Sequence, residues 1–164
     1  MAGSATPATT ALRKAGIEHC VHAYEHDPNA DSYGTEAVDA LGADLEITPM
    51  QVFKTLVVEL DTGALAVAVL PVPRSLSLKS AASALGARKA TMADPRRVER
   101  TTGYVLGGVS PLGQRKRLPT VLDESARALD RILCSAGRRG LEIEMSPTDL
   151  ADLTAATIAP ITSS

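Results

Sequence analysis

The chain has 164 residues with 45% hydrophobic composition, which is enough for one globular core and too little for two comfortable domains. Aromatic residues amount to only 2%, so a nucleic-acid reader that stacks bases on an aromatic platform is not expected. The 17 Lys and Arg against 19 Asp and Glu leave a net charge of -2, which excludes a protein that coats DNA through a large basic excess.

Prolines mark four predicted helix starts, because each follows a residue whose side chain can cap a helix. These pairs are Thr6-Pro7, Thr48-Pro49, Asp94-Pro95 and Ser146-Pro147. Glycines supply several of the stops, since a helix often ends in a left-handed residue. The pattern predicts helices near residues 7–15, 35–41, 49–52, 77–85, 95–102 and 147–156.

Strand-like runs lie between these helices, at residues 19–24, 52–60, 65–72, 120–122, 131–135 and 141–145. The second and third runs are separated by Asp61-Thr62-Gly63, which is typical of a hairpin turn. Together the elements predict a mixed α/β fold with a substantially antiparallel sheet. We expect one domain over residues 6–159, with flexible ends at 1–5 and 160–164.

No signal peptide and no apolar run near the ~20 residues of a membrane span are visible, which favours a cytoplasmic protein without a membrane partner. Cys20 and Cys134 are flanked by apolar residues, and we interpret them as two reduced, buried thiols. His19, His22 and His26 would share a helix face, but their segment is predicted as a strand that separates His19 from His22. No metal site is therefore predicted.

Charge is segregated along the chain. Residues 25–46 contain seven acidic residues and no Lys or Arg, whereas residues 88–117 contain eight basic residues against Asp94 and Glu99. The basic segment suits a polyanion bound at one place, and the alternative is an ordinary set of solvated charges.

Two segments carry candidate chemistry. Lys54 lies in an apolar strand-like run, where its ammonium must either meet an anion or reach water at a sheet edge. Residues 102–113 form a glycine-dense loop whose amides can hold a carbonyl oxygen, an oxyanion or a phosphate. The basic run Arg115-Lys116-Arg117 follows at once, which favours a phosphate-bearing ligand.

Six short strings run in order through nearly the whole chain: Ala23-Tyr24-Glu25-His26-Asp27-Pro28, Phe53-Lys54-Thr55-Leu56, Met92-Ala93-Asp94-Pro95, Thr102-Gly103-Tyr104, Gly107-Gly108-Val109-Ser110-Pro111-Leu112-Gly113-Gln114 and Lys116-Arg117-Leu118-Pro119-Thr120. In this order they resemble the YbaK/EbsC family, whose members are free-standing relatives of the editing domain inserted in bacterial prolyl-tRNA synthetase. The resemblance covers about residues 6–158.

The resemblance implies an aminoacyl-tRNA deacylase that acts in trans on Cys-tRNA(Pro), with Cys-tRNA(Cys) as a further substrate and no cofactor. The implied fold is a mixed α/β, barrel-like sheet with flanking helices. Lys54-Thr55 is similar to the cysteine-clearing branch, whereas alanine-clearing relatives carry Asn after the lysine. In the family the substrate's own thiol attacks its ester, which implies a site without a protein nucleophile. The implied partners are the acceptor end of mischarged tRNA and prolyl-tRNA synthetase, without DNA.

The resemblance also implies site residues. Lys54 matches the family's essential lysine, and the backbone of Gly107 and Gly108 would hold the ester carbonyl; these are the catalytic assignments. The substrate-binding assignments are Tyr24, Thr55, Val109, Ser110, Pro111 and Ser135, and the tRNA-binding assignments are Arg115, Lys116 and Arg117. Glu142 stands where close relatives have Asp, so an orienting role for this longer carboxylate is not assigned.

Three other functions stay open at this point. The chain could be a deacylase for another small amino acid such as Ala, a non-catalytic module that binds a tRNA acceptor or a synthetase, or a small-molecule or nucleotide-binding enzyme unrelated to tRNA. Deacylation of a panel of mischarged tRNAs distinguishes them.

Overall fold

The computed structural model describes residues 5–25 and 33–163. The helices are α1 (Pro7–Ala15), α2 (Tyr33–Leu45), α3 (Leu78–Ala84), α4 (Pro95–Thr102) and α5 (Pro147–Thr154), with two 3-10 turns at Pro49–Gln51 and Glu124–Ala128. The strands are β1 (His19–Ala23), β2 (Phe53–Leu60), β3 (Leu65–Pro71), β4 (Ser75–Leu76), β5 (Ala90–Met92), β6 (Thr120–Asp123), β7 (Ile132–Ser135), β8 (Leu141–Met145), β9 (Thr157–Ala159) and β10 (Thr162–Ser163).

The proline signals locate the helix starts correctly. Helices α1, α4 and α5 each begin at the predicted proline, and the fourth proline begins the short turn Pro49–Gln51 instead of a full α-helix. The capping argument is only partly right, because Thr6 accepts a hydrogen bond from the Thr9 amide while Asp94 and Ser146 make no side-chain cap. Helix α2 extends beyond the predicted 35–41 at both ends.

The described strands form three sheets. The largest has the order β5-β2-β3-β6-β9, the second has the order β1-β8-β7, and β10 pairs with β4. The predicted hairpin is confirmed, since β2 and β3 pair antiparallel across residues 61–63. The β3–β6 and β6–β9 pairs are parallel, so the large sheet is mixed. No sheet among the described strands closes on itself, and the barrel-like expectation is therefore corrected to a set of open sheets.

Strand β2 separates the two sides of the molecule. Its Phe53 and Val57 pack into the main core, which also contains Cys134 and Ile143 from the second sheet. The alternate residue Val52, just before the strand, points to the other side, where it packs with Leu133 and with Ala37 and Leu41 of α2. Side chains therefore alternate between the two sides along this run, as they do in any strand.

The two larger sheets meet at one parallel bridge between Val52 and Leu133. Two residues further along each strand lie Lys54 and Ser135, which therefore point to the same face as the bridged pair. Helix α2 covers this face through its contacts with Val52 and Leu133. The bridge thus brings the predicted lysine and a predicted pocket residue to one side of the fold.

The chain end, which the sequence analysis expects to be flexible from residue 160, is held at several points. Ile161 is fully buried, its amide donates to Asp123 Oδ1 at 3.1 Å, and its carbonyl accepts from Ser77 at 2.7 Å. Strand β10 then pairs with β4. Within residues 5–25 and 33–163, the helices are too short or too polar to cross a membrane.

Gly113 provides a test of the packing between α1 and the glycine-dense loop. Its φ is +67°, and a Cβ there would collide with the backbone of Pro7 and Ala8. Gly16 has almost the same φ, +68°, but open space around the Cβ position. We expect Gly16→Ala to lower the free energy of unfolding by about 1–2 kcal/mol through backbone strain alone. Gly113→Ala should cost about 1–3 kcal/mol more, because it adds a backbone clash.

Denaturant unfolding of both variants measures the difference. Equal losses of stability in Gly113→Ala and Gly16→Ala would contradict the close packing of the loop against α1.

Candidate active site

Lys54 is a half-buried cation with a neutral partner. Its Nζ donates to the carbonyl oxygen of Val72 at 3.3 Å, and no carboxylate lies in ion-pair range of it among the described residues. Burial lowers the pKa of Lys54 from its ordinary 10.5. Because a desolvated ammonium gains most from a charged acceptor, this side chain is suited to an anionic ligand group.

Thr55 points away from Lys54, since neighbouring residues of a strand face opposite sides. It shares its face with Phe53 and Val57 of the main core. Its Oγ1 is buried and has no hydrogen-bond partner in the described part of the chain. The structure therefore does not bring the Thr55 side chain together with Lys54, and it leaves a buried hydroxyl with unused hydrogen-bonding capacity.

The second sheet places four polar positions near Lys54. In its register Ser135 lies opposite Glu142, and Glu142 lies opposite His22. The amide of Tyr24 donates to the carbonyl of Gly140 at 2.9 Å, just beyond the end of β1. Ser135 Oγ accepts from the amide of Gly137 at 3.1 Å. Tyr24 and Ser135 thus lie on the same side of the fold as Lys54.

Glu142 is the most unusual group of this face. Glu142 is only 7% exposed, and burial raises the pKa of its carboxyl group to about 8. Burial first, and the nearby Glu142 second, also raise the pKa of Tyr24 to about 12. Burial therefore favours the protonated, neutral form of both side chains at neutral pH.

The glycine-dense loop reaches this face through Gly108. A Cβ on Gly108 would lie 2.7 Å from the Cα of Arg138 and 3.0 Å from the amide nitrogen of Arg139, so only glycine permits the contact. The neighbouring Gly107 has a φ of +93°, a conformation that favours glycine. The loop therefore packs directly against the turn that joins β7 to β8.

The remaining loop residues serve mainly to hold the loop in shape. Val109 is buried in the main core, and Pro111 is buried nearby. Ser110 is fully buried, its Oγ accepts from the amide of Leu112 at 3.2 Å, and its carbonyl accepts from Gln114 at 3.0 Å. Tyr104 donates to the Leu112 carbonyl at 2.6 Å. This internal bonding makes the loop a fixed scaffold for the Gly107 and Gly108 backbone.

An ion pair that the sequence analysis missed joins α2 to the same turn. Arg139 Nε lies 3.4 Å from Glu36 Oε1, and the two side chains are only 18% and 11% exposed. The acidic segment and the turn after β7 are far apart in sequence, so no spacing signal could reveal this pair. Its effect is to tie the helix that covers the site to the turn that contacts Gly108.

The basic run Arg115-Lys116-Arg117 is exposed and lies on a different part of the surface. The amides of Arg115 and Lys116 donate to Thr102 and Thr101 at the end of α4, and Arg117 donates to the Leu153 carbonyl of α5. Arg117 also borders a cleft shared with Pro111, Leu112 and Gly113. The run therefore adjoins the far end of the glycine-dense loop.

The cysteines and histidines form no common site among the described residues. Cys134 is buried as predicted, but Cys20 is exposed, so that prediction was wrong for Cys20. The cause is the edge position of β1, which pairs with β8 alone and leaves its side chains open to water. His22 lies 2.8 Å from Glu144, and His26 is outside the described residues, as is part of the string that contains it.

Comparison with known proteins identifies a family. The family model of the aminoacyl-tRNA editing domain matches residues 31–153, about three quarters of the chain. The chain is 39% identical over 140 residues to EbsC of Enterococcus faecalis, which is described as a candidate Cys-tRNA(Pro)/Cys-tRNA(Cys) deacylase. That match covers 85% of this chain and 83% of EbsC.

Two further similarities agree with this match. The chain is 31% identical over 127 residues to a proline–tRNA ligase of Moorella thermoacetica, covering 73% of this chain but only 22% of the ligase. A crystal structure of a candidate trans-editing enzyme for prolyl tRNA synthetase superposes with a TM-score of 0.81 at 23% identity, covering 100% of this chain and 99% of the other. At that identity the superposition establishes the fold alone.

The buried carboxyl of Glu142 predicts a pH-dependent stability difference. Its pKa is raised on folding from 4.5 to about 8, so its contribution to stability is complete below pH 4.5 and is lost as the pH rises through about 8. Glu142→Gln has no such titration. The free energy of unfolding of the variant, relative to wild type, should therefore increase steadily from pH 5 to pH 8. Chemical denaturation across this range measures it, and parallel curves would contradict the burial of an uncompensated carboxyl.

Proposed function

The chain belongs to the aminoacyl-tRNA editing domain family, and we propose that it is a trans-editing deacylase that clears Cys from mischarged Cys-tRNA(Pro), with Cys-tRNA(Cys) as a further substrate. The similarity to EbsC supports the substrate class. The observation that carries the proposal is the half-buried Lys54, whose hydrogen-bond partner among the described residues is the neutral Val72 carbonyl, together with the contact of Gly108 with the turn between β7 and β8. The cation can bind the terminal nucleotide of the tRNA, and fixed backbone amides can bind the carbonyl of the ester attached to it.

Lys54 binds the 3′-terminal adenosine or its phosphate by charge. Its aliphatic chain extends from β2, and its ammonium can donate to an anionic oxygen of the ligand in place of the Val72 carbonyl. A charge-assisted hydrogen bond is about twice as strong as a neutral one, so the exchange favours the bound state. The backbone of Gly107 and Gly108 holds the ester carbonyl and stabilises the negative charge that develops on its oxygen.

The reaction needs no protein nucleophile. The substrate thiol sulfur forms a bond to its own ester carbon while the bond from that carbon to the ribose oxygen breaks. The thiol proton ends on the ribose oxygen, and the tRNA leaves uncharged. The cyclic thioester that is released is then opened by water. Holding the reacting atoms together can lower the barrier by roughly 7–11 kcal/mol, so positioning alone is a sufficient contribution from the protein.

The other assigned residues shape the pocket around this reaction. Tyr24 and Ser135 line it from the second sheet, and Ser110 and Pro111 hold the loop that carries the glycine amides. Thr55 and Val109 face the main core and do not contact the substrate. Their packing sets the position of β2 and of the loop. No cofactor is required by this chemistry.

The partners follow from the surface charge. Arg115, Lys116 and Arg117 bind phosphates of the tRNA acceptor end, while the modest size of this patch leaves tRNA identity to prolyl-tRNA synthetase in a ternary complex. The protein acts in the cytoplasm, where tRNA is charged, and involves neither DNA nor a membrane.

Substitution of Lys54 tests the site. Lys54→Ala should lower the rate of Cys-tRNA(Pro) deacylation by about 10²-fold, because it removes a charged contact worth on the order of 2–3 kcal/mol. Lys79→Ala, which removes an exposed lysine of α3, should leave the rate unchanged. Release of radiolabelled cysteine from Cys-tRNA(Pro), with Ala-tRNA(Pro) in parallel, measures both.

Full activity of Lys54→Ala would refute the site assignment alone. If wild type clears Ala-tRNA(Pro) and spares Cys-tRNA(Pro), the substrate is alanine. If wild type leaves both esters intact while it still binds tRNA, the protein is a non-catalytic tRNA-binding module.

Removal of the basic run tests the tRNA surface. In a variant with Arg115, Lys116 and Arg117 all changed to Ala, the plot of log affinity against log salt concentration should become shallower by about 2, since each phosphate contact releases counterions. A control variant removes three other exposed basic residues, Arg74, Lys79 and Arg127. Filter binding of tRNA(Pro) at several salt concentrations measures the slopes, and equal slopes for the two variants would contradict the assignment.

A further inference from the structure

Glu142 is a buried carboxyl group that has no cationic partner among the described residues. It is 7% exposed, and none of the ion pairs and none of the side-chain hydrogen bonds among the described residues involves it. No cation compensates the cost of burying its charge, so the unliganded protein favours the protonated form of this group. This residue therefore has unused capacity to bind a cation at a position next to the candidate active site.

The cationic side chains on the elements around Glu142 pair with other groups. On α2 and the turn after β7, Arg139 pairs with Glu36. On β1, His22 pairs with Glu144, which Arg131 also approaches at 3.6 Å. On β2, the recorded partner of Lys54 is the Val72 carbonyl.

The remaining titratable neighbours cannot neutralise this carboxylate. Burial first, and the nearby Glu142 second, raise the pKa of both Tyr24 and Cys134. A phenol and a thiol whose pKa values are raised stay neutral, so neither supplies a positive charge. The described part of the chain therefore offers Glu142 no cation, and a ligand can supply one.

We propose that Glu142 is the binding site for the α-ammonium group of the aminoacyl ester. The inference rests on the proposed deacylase function, and it adds a specificity element to it. Glu142 lies opposite Ser135 on the face that also holds Lys54 and Tyr24. A substrate bound with its terminal nucleotide at Lys54 and its ester at Gly107–Gly108 extends its amino acid toward the second sheet. An ammonium beside Glu142 favours the ionised carboxylate, so the carboxyl gives up its proton to solvent and the two opposite charges pair in the complex.

This pairing makes the enzyme selective for a free amino group. An ester whose nitrogen is acylated has no positive charge, so binding it leaves Glu142 buried and unpaired. Discrimination of this kind is strong because the buried group of the site loses its partner altogether. The expected consequence is that initiator-type or peptidyl esters, which carry an acylated nitrogen, are spared.

The test compares Cys-tRNA(Pro) with N-acetyl-Cys-tRNA(Pro) in wild type and in Glu142→Gln, which keeps the size of the side chain and removes its charge. Acetylation also alters the intrinsic reactivity of the ester, so the informative quantity is the ratio of variant to wild-type rate for each substrate. We expect kcat/KM for Cys-tRNA(Pro) to fall 10- to 100-fold in Glu142→Gln. The rate for the N-acetyl substrate should change less than twofold.

Glu144→Gln is the matched control. Glu144 lies on the same strand and the same face, but it is more exposed and is paired with His22 and Arg131. This variant should cleave both substrates at wild-type rates. Equal losses for both substrates in Glu142→Gln, or no loss for either, would overturn the inference while leaving the deacylase function intact. Absence of deacylation by wild type would instead refute the proposed function.

A binding measurement covers the case in which N-acetyl-Cys-tRNA(Pro) is cleaved too slowly to follow. Stable amide-linked cysteinyl-adenosine and its N-acetyl derivative serve as competitive inhibitors. The free-amine compound should inhibit wild type at least tenfold more strongly than the acetylated one, and Glu142→Gln should abolish that difference. A difference retained in Glu142→Gln would overturn the inference.

Discussion

The parallel bridge between Val52 and Leu133 is the contact on which the candidate site depends. It joins two otherwise separate sheets, and it sets the register of β2 against β7. Because side chains alternate along a strand, this one register directs Lys54 and Ser135 to the face that α2 covers. A shift of one residue would turn Lys54 into the main core, where Phe53 and Val57 now lie.

The elements with a strong local signal could be predicted from the sequence. Helices α1, α4 and α5 start at prolines, and the residues between β2 and β3 are typical of a hairpin turn. Strands β4 and β10 have two residues each, which is too short for any periodicity to show. The mixed α/β class and the predominance of antiparallel pairs were predicted correctly. Whether a sheet closes is set by which strands meet in space, and the barrel-like expectation from the family resemblance was wrong.

The candidate site likewise contains residues that could be predicted from the sequence and residues that could not. Lys54 stands out in the sequence because a charge interrupts an apolar strand, and the contact of Gly108 with the turn at Arg138 agrees with its glycine-dense loop. The burial of Glu142 depends on packing contributed by distant segments, and the ion pair between Glu36 and Arg139 joins residues about 100 positions apart. Such groups become visible only when the fold brings the segments together. Among the described residues, the result is a face with one cation bonded to a neutral carbonyl and one carboxyl without a cation, which suits a substrate that carries both a phosphate and an ammonium.

The central claim is that the substrate's thiol breaks its own ester in a pocket that only positions it. The most direct test compares Cys-tRNA(Pro) with Ser-tRNA(Pro), which differ in one atom, sulfur or oxygen, at the attacking position. Single-turnover decay of each ester is measured with excess protein and without it. The account predicts strong acceleration for the cysteine ester and decay near the uncatalysed rate for the serine ester. Equal acceleration of both esters would contradict the account, because a water molecule activated by the protein would then be the nucleophile.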